Sequence, residues 1–152
     1  MRSSTCHAVI AMANDELFLA DLWRRVQQVH PEMPTPDRFE VFANSGTDRK
    51  RWGYCREVSG YITVGINRAT LRHPAEHLLA TMLHEATHAT LYAAGDFDHE
   101  HGERFMQRAQ SFGCALFDFG DGRGWTCELA ALGERILADV LAWLRLEQLT
   151  IA

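Results

Sequence analysis

The chain has 152 residues, 47% of them hydrophobic and 23% charged, which suits one soluble folded domain with its own core and excludes a wholly disordered polypeptide. Its net charge of −5 excludes a nucleic-acid binder that relies on a dominant basic face. The charge is unevenly spread: residues 1–72 carry 10 Arg and Lys against 8 Asp and Glu, whereas residues 73–152 carry 5 against 12. Within 49–72, Arg49, Lys50, Arg51, Arg56, Arg68 and Arg72 face only Glu57.

In chain order, 14–30 reads as a first helix, with Asn14 as its cap and Leu17, Leu22, Val26 and Val29 near helical spacing. The run PEMPTP at 31–36 ends it, because proline cannot continue a helix and biases the residue before it toward extended backbone. Three strand candidates follow at 38–44, 51–57 and 61–67. SGTDRK separates the first two, and Ser59-Gly60 precedes the third. Ile62, Val64 and Ile66 alternate with Tyr61, Thr63 and Gly65, so the expectation is a small antiparallel three-stranded sheet with one buried face.

Pro74 opens a long helix that runs to Ala94, with Leu79, Met82, Leu83, Ala86 and Ala89 near one face and Gly95 as its C-terminal cap. A further helix is expected over 101–112, with Phe105, Ala109 and Phe112 on one stripe. A loop rich in Gly and Asp (118–124) leads to a last amphipathic helix over about 126–149, lined by Leu129, Leu132, Ile136, Val140 and Trp143. A sheet packed with about four helices makes an α+β domain, here read as one domain over 1–152.

Cys6, Cys55, Cys114 and Cys127 are scattered with no C-x-x-C pair, which excludes a local zinc ribbon and gives no disulfide framework. No apolar run approaches a membrane span, and the N-terminal stretch lacks the pattern of a signal peptide, so a cytoplasmic protein is expected.

The chemistry concentrates at His84-Glu85-Ala86-Thr87-His88, an H-E-x-x-H pattern in the middle of the apolar helical run. Positions i and i+4 lie about 40° apart around a helix, so both imidazoles leave the same face and can share one zinc ion. Glu85 is placed to take a proton from a water that zinc makes acidic near pH 7. Catalytic zinc needs a third protein ligand. His101, at the start of the next helix and one turn before Phe105, is the foremost candidate. His99 is its nearest competitor, and Glu100, Glu103 or Glu128 would give a two-histidine, one-carboxylate site instead. His7, His30, His73 and His77 have no comparable partners, although His77 could line the same helix face.

The stretch from Arg51 to Ala109, with YITVGIN (61–67) leading to the HEATHA helix and then His101-Gly102 and Phe105, resembles the SprT-like (Spartan-type) zinc metallopeptidases. The resemblance covers about 14–113, leaving 114–152 as a loop and C-terminal helix. It implies a zincin-like minimal metallopeptidase fold, His84, His88 and His101 as zinc ligands, and Glu85 as the catalytic acid and base. For substrates it implies proteins crosslinked to DNA, a role for which the basic stretch 49–72 is the internal support. The cysteine pairs of the zinc ribbon found in many bacterial relatives do not occur here.

The expected activity is therefore a zinc-dependent endopeptidase whose peptide substrate lies antiparallel along the sheet edge, with Tyr54 or Tyr92 as candidates to stabilise the oxyanion. Alternatives of other classes are a binding module with structural zinc and no proteolysis, and a peptidase that clips one regulatory partner.

Overall fold

A computed structural model describes residues 15–43, 51–71, 74–118 and 125–151. Within them the order is α1 (Asp15–Val29), β1 (Arg38–Phe42), β2 (Gly53–Val58), β3 (Tyr61–Asn67) and α2 (Arg68–Leu71). There follow α3 (Ala75–Ala93), α4 (Glu103–Phe112), β4 (Cys114–Asp118), β5 (Trp125–Leu129) and α5 (Ala131–Ile151). The α+β class expected from the sequence is the class observed, and no helix among the described residues is long and apolar enough to cross a membrane.

In α1 the buried stripe is Leu19, Leu22, Trp23 and Val26. Leu17 and Val29, read from the sequence as part of that stripe, are exposed. Leu17 lies about 200° around the helix from Leu19, so the two cannot share a face. Asn14, the expected cap, lies outside the described residues. The Trp23 indole N–H donates to the Pro34 carbonyl at 2.9 Å, which pins the proline-rich segment back against the helix. His30, buried after α1, lies with Nε2 3.0 Å from the Phe112 carbonyl and so ties α1 to the end of α4.

The three-stranded sheet corrects the expected topology. Its order is β1-β3-β2, and it is mixed. β2 pairs antiparallel with β3 from Gly53↔Ile66 to Val58↔Tyr61, but β1 runs parallel to β3 from Arg38↔Thr63 to Phe42↔Asn67. The physical reason is connection length. Ser59 and Gly60, both at positive φ, form a two-residue turn that forces β2 and β3 into a hairpin. The ten residues from 43 to 52 leave enough chain for β2 to lie on the far side of β3. Asp37 fixes the start of β1: its N–H donates to the Ile62 carbonyl at 2.9 Å and its carboxylate accepts from the Ile62 N–H at 2.7 Å.

As the central strand, β3 is buried from Ile62 through Asn67, on both faces rather than one. Ile62, Val64 and Ile66 enter the core beneath α3. The opposite face is covered by Tyr54, which sits directly across from Gly65. A Cβ at residue 65 would come within 2.1 Å of the Tyr54 ring, so only glycine lets that ring lie flat over the strand. Arg51 and Arg56 flank the ring at 5.8 and 5.0 Å, and the Tyr54 hydroxyl donates to Glu40.

Helix α3 crosses the core face, with Leu79, Met82, Leu83, Ala86 and Ala89 fully buried. Pro74 stands at its N-cap. Its C-terminus closes in a Schellman motif, in which the Gly95 N–H reaches the Tyr92 carbonyl (3.0 Å) and the Asp96 N–H the Leu91 carbonyl (2.9 Å), with Gly95 at φ 83°. Phe105, Ala109 and Phe112 anchor α4 as its spacing predicts.

After α4 the chain departs from the sequence reading. Residues 125–129, where the sequence predicts the end of a loop and the start of a helix, form β5, which pairs antiparallel with β4 from Cys114↔Leu129 to Asp118↔Trp125. The last helix begins only at Ala131 and buries Ile136, Leu137 and Val140. The hairpin packs against α3, and this brings Cys127 to the functional region.

Candidate metal centre

The sequence singles out residues on α3 and in the loop after it, and the fold brings three of them together. His84 and His88 are one helical turn apart on α3. The Schellman cap reverses the chain, and a bend through Asp98–Gly102 returns it. Glu100 takes a φ of 41° there, and the Gly102 N–H donates to the His99 carbonyl at 2.9 Å. This delivers His101 against the helix, with its Nε2 3.1 Å from His84 Nε2 and 3.2 Å from His88 Nε2. Phe105, fully buried, backs all three rings at centroid distances of 5.1, 4.4 and 4.8 Å.

Three nitrogens at this spacing suit one metal ion. Tetrahedral ligands at about 2.0–2.1 Å from zinc stand about 3.3 Å from one another. Protons alone satisfy the cluster poorly, because a neutral His101 has a single N–H and can donate from Nε2 to only one of its two neighbours. Among the described residues, His84, His88 and His101 are the group whose donor atoms converge closely enough to hold a metal ion.

Electrostatics favours the neutral imidazoles that ligation requires. Burial drives His84 down to about 3 and His88 down to about 2, and the mutual proximity of the rings adds to both shifts. His101 is lowered too, chiefly by burial. Glu85 points from the same helix toward β2, where a Cβ on Gly53 would come within 3.3 Å of its Cγ. Burial pushes its carboxyl up to about 8, against the opposing pull of the Arg51 charge.

The outer nitrogens of two of the rings are also engaged. His88 Nδ1 lies 2.8 Å from His99 Nε2, and His99 Nδ1 lies 2.8 Å from the Asp96 carbonyl oxygen. His84 Nδ1 lies 3.5 Å from Cys127 Sγ. Hydrogen bonding to Cys114 and then burial hold the Cys127 thiol protonated, far above the usual thiol range. His99, the competitor for third ligand, thus stands behind His88. Glu103 and Glu128 are exposed and, with Glu100, lie outside the converging group.

Tyr92 neighbours the site, its ring 6.4 Å from His88 and 4.8 Å from His99. Tyr54 lies on the opposite face of the sheet, bonded to Glu40, and cannot serve there. His77 packs edge-on against Trp52 at 4.7 Å, and His30 is committed to Phe112. His7 and His73 lie outside the described residues. Cys127 was missed by sequence reasoning. The alternation of Trp125, Cys127 and Leu129 carries a strand signal, but nothing local links residue 127 to a histidine 43 positions earlier.

No curated protein matches the chain. The SprT-like family model matches residues 19–123, well over half of the chain and the whole of the sheet, helix and loop that bring the three histidines together, and the chain belongs to the SprT-like family.

Proposed function

We propose that this chain is a zinc-dependent endopeptidase formed by one zincin-like domain over 1–152, with His84, His88 and His101 as the metal ligands and Glu85 as the general acid and base. The observation that carries the reading is the convergence of three neutral imidazole nitrogens within 3.1–3.2 Å along the His101 contacts, with a buried carboxyl on the adjacent helix position. Bound at these nitrogens, zinc supplies Lewis acidity that makes water nucleophilic near neutral pH and polarises a carbonyl.

The chain's own residues do the rest. Strand β2 is an edge of the sheet, and its first residue, Gly53, faces Glu85. A substrate peptide added along that edge would be held by main-chain hydrogen bonds and would present its carbonyl near the three histidines. Glu85 accepts the proton of the attacking water at its carboxylate and returns it to the departing amine nitrogen. Burial of Glu85 keeps bulk water out of that transfer, and the positive charge of a bound zinc ion would favour the ionised carboxylate that the first step needs. For substrates, we propose proteins held on DNA. The support is the basic and aromatic outer face of β2, where Arg51 and Arg56 bracket Tyr54.

The test is zinc-loaded protein incubated with unfolded casein and with a DNA-associated protein, each with and without single-stranded DNA. Glu85→Gln is expected to retain one zinc per chain and to lose cleavage by about 10²–10⁴-fold. Undiminished cleavage by that variant removes Glu85 from the mechanism. Cleavage indifferent to DNA removes the DNA-linked substrate class, and zinc uptake with no cleavage of any protein leaves a binding module.

A further inference from the structure

Of the four histidines gathered at this site, His99 lies outside the converging group, with one ring nitrogen on a backbone carbonyl and the other on the outer nitrogen of His88. It is buried, with Tyr92 edge-on to its ring at 4.8 Å and Phe105 parallel at 6.2 Å. Its Nδ1 faces the Asp96 carbonyl at 2.8 Å, and its Nε2 faces His88 Nδ1 at 2.8 Å.

A carbonyl oxygen only accepts, so the proton on His99 must sit on Nδ1. In the neutral ring that leaves a lone pair on Nε2, which can only accept from His88. The His88 proton is therefore drawn to Nδ1, and the His88 lone pair is left on Nε2, the atom that faces His101 at 3.2 Å. One backbone oxygen thus sets the tautomer of two rings in series.

The local fold explains why that oxygen is in place. Asp96 is the residue whose N–H closes the Schellman motif on the Leu91 carbonyl. Its carboxylate is tied to Arg104 of α4 at 3.2 Å. Both ends of the Asp96 residue are therefore held, one by α3 and one by α4, and its carbonyl is fixed with respect to both metal-bearing segments.

We propose that His99 is a positioning residue. It locks His88 in the Nδ1–H tautomer, with its Nε2 lone pair aimed at the metal position, through a relay that starts at the Asp96 carbonyl. The proposal rests on the reading of His84, His88 and His101 as metal ligands. Hydrogen-bond partners of this kind orient ligating imidazoles and raise their basicity, and removing one weakens metal binding by about 10- to 100-fold.

The test combines zinc affinity, measured by competition with a chromophoric chelator, and nitrogen-15 imidazole spectra of the metal-free protein. The full chain is compared with His99→Phe and His99→Gln. Phenylalanine keeps the packing between Tyr92 and Phe105 but offers no acceptor. Glutamine restores an acceptor oxygen close to the position of Nε2. The expected result is a 10- to 100-fold weaker zinc affinity for His99→Phe, recovery to within a few-fold for His99→Gln, and Nδ1–H signals for both His88 and His99 in the unaltered protein. Equal zinc affinity in His99→Phe, or an Nε2–H tautomer at His88, overturns the proposal. The spectra of the unaltered protein decide the matter even if the phenylalanine variant fails to fold. Failure of the unaltered chain to take up zinc overturns the underlying metal-site reading, an outcome distinct from unchanged affinity in the variant.

Discussion

At the scale of single residues, the site stores opposing responses to pH. In the metal-free protein His84 lies at about 3 and His88 at about 2 against an ordinary 6.5, while Glu85 lies at about 8 against 4.5. A histidine lowered by folding is protonated first in the unfolded chain, so its contribution to stability is lost as pH falls below 6.5. A carboxyl raised by folding acts the other way, because between 4.5 and 8 the folded chain binds the extra proton and gains stability as pH falls. Between pH 8 and 6.5 Glu85 dominates, and the metal-free protein should become more stable by roughly 2 kcal/mol. Between pH 6.5 and 5 His84 and His88, with His101 acting in the same direction, oppose one carboxyl, and a net roughly 2 kcal/mol or more should be lost. Urea midpoints of chelator-treated protein should therefore peak near pH 6.5, and Glu85→Gln should abolish the rise on the alkaline side. A flat profile from pH 8 to 6.5 in the unaltered protein would contradict the burial of Glu85. The residues of this site were unequally legible in the sequence. His84 and His88 are legible because their spacing is a property of one helix, and His101 because it lies just before the next. The places of His99 and Cys127 depend on a backbone carbonyl and on a strand pairing, and neither leaves a mark in local spacing.

Individual elements are held by their ends, and two glycines separate two kinds of constraint. Gly95, after α3, and Gly113, after α4, both have positive φ, 83° and 103°. Around Gly95 a Cβ would meet nothing within 4 Å, whereas at Gly113 it would come within 2.5 Å of the Gly133 nitrogen at the start of α5. Gly95→Ala should then cost only the conformational term, about 1–2 kcal/mol. Gly113→Ala adds the overlap with α5 and should cost about 3 kcal/mol or more. Denaturant midpoints of the two variants check this, and equal losses would mean that the contact between α4 and α5 yields freely. Both glycines are visible in the sequence as helix stops, but their difference is not, because it resides in what packs beyond each stop. The same limit applies to the sheet. Alternation in 61–67 announces a strand, yet burial on both faces follows from its central place and from Tyr54 lying over Gly65. The β4–β5 hairpin is hidden in the sequence because Leu129, Leu132 and Ile136 continue a helical spacing across the break at Ala130.

For the molecule as a whole, the three histidines join α3 to the loop before α4, so a metal ion held by them would link binding to folding. Zinc at 100 times its dissociation constant should stabilise the protein by about 2.7 kcal/mol. For a chain of this length that corresponds to a rise in Tm of about 5–10 °C. A chelator should reverse the shift, and His101→Ala should abolish it while leaving the metal-free Tm close to that of the unaltered protein. An unchanged Tm on zinc addition to the unaltered chain would speak against a site linking these segments. Strand order also sets an order in time. β3 comes last of the three strands in the chain yet occupies the middle of the sheet, so β1 has no partner until β3 has formed. The β2–β3 hairpin closes across two residues, a local event, whereas β1 must await a partner whose register begins 25 residues further along. The expected order of assembly therefore starts from the edge that faces Glu85, so that the wall of the candidate metal centre would be laid down before the far side of the sheet exists.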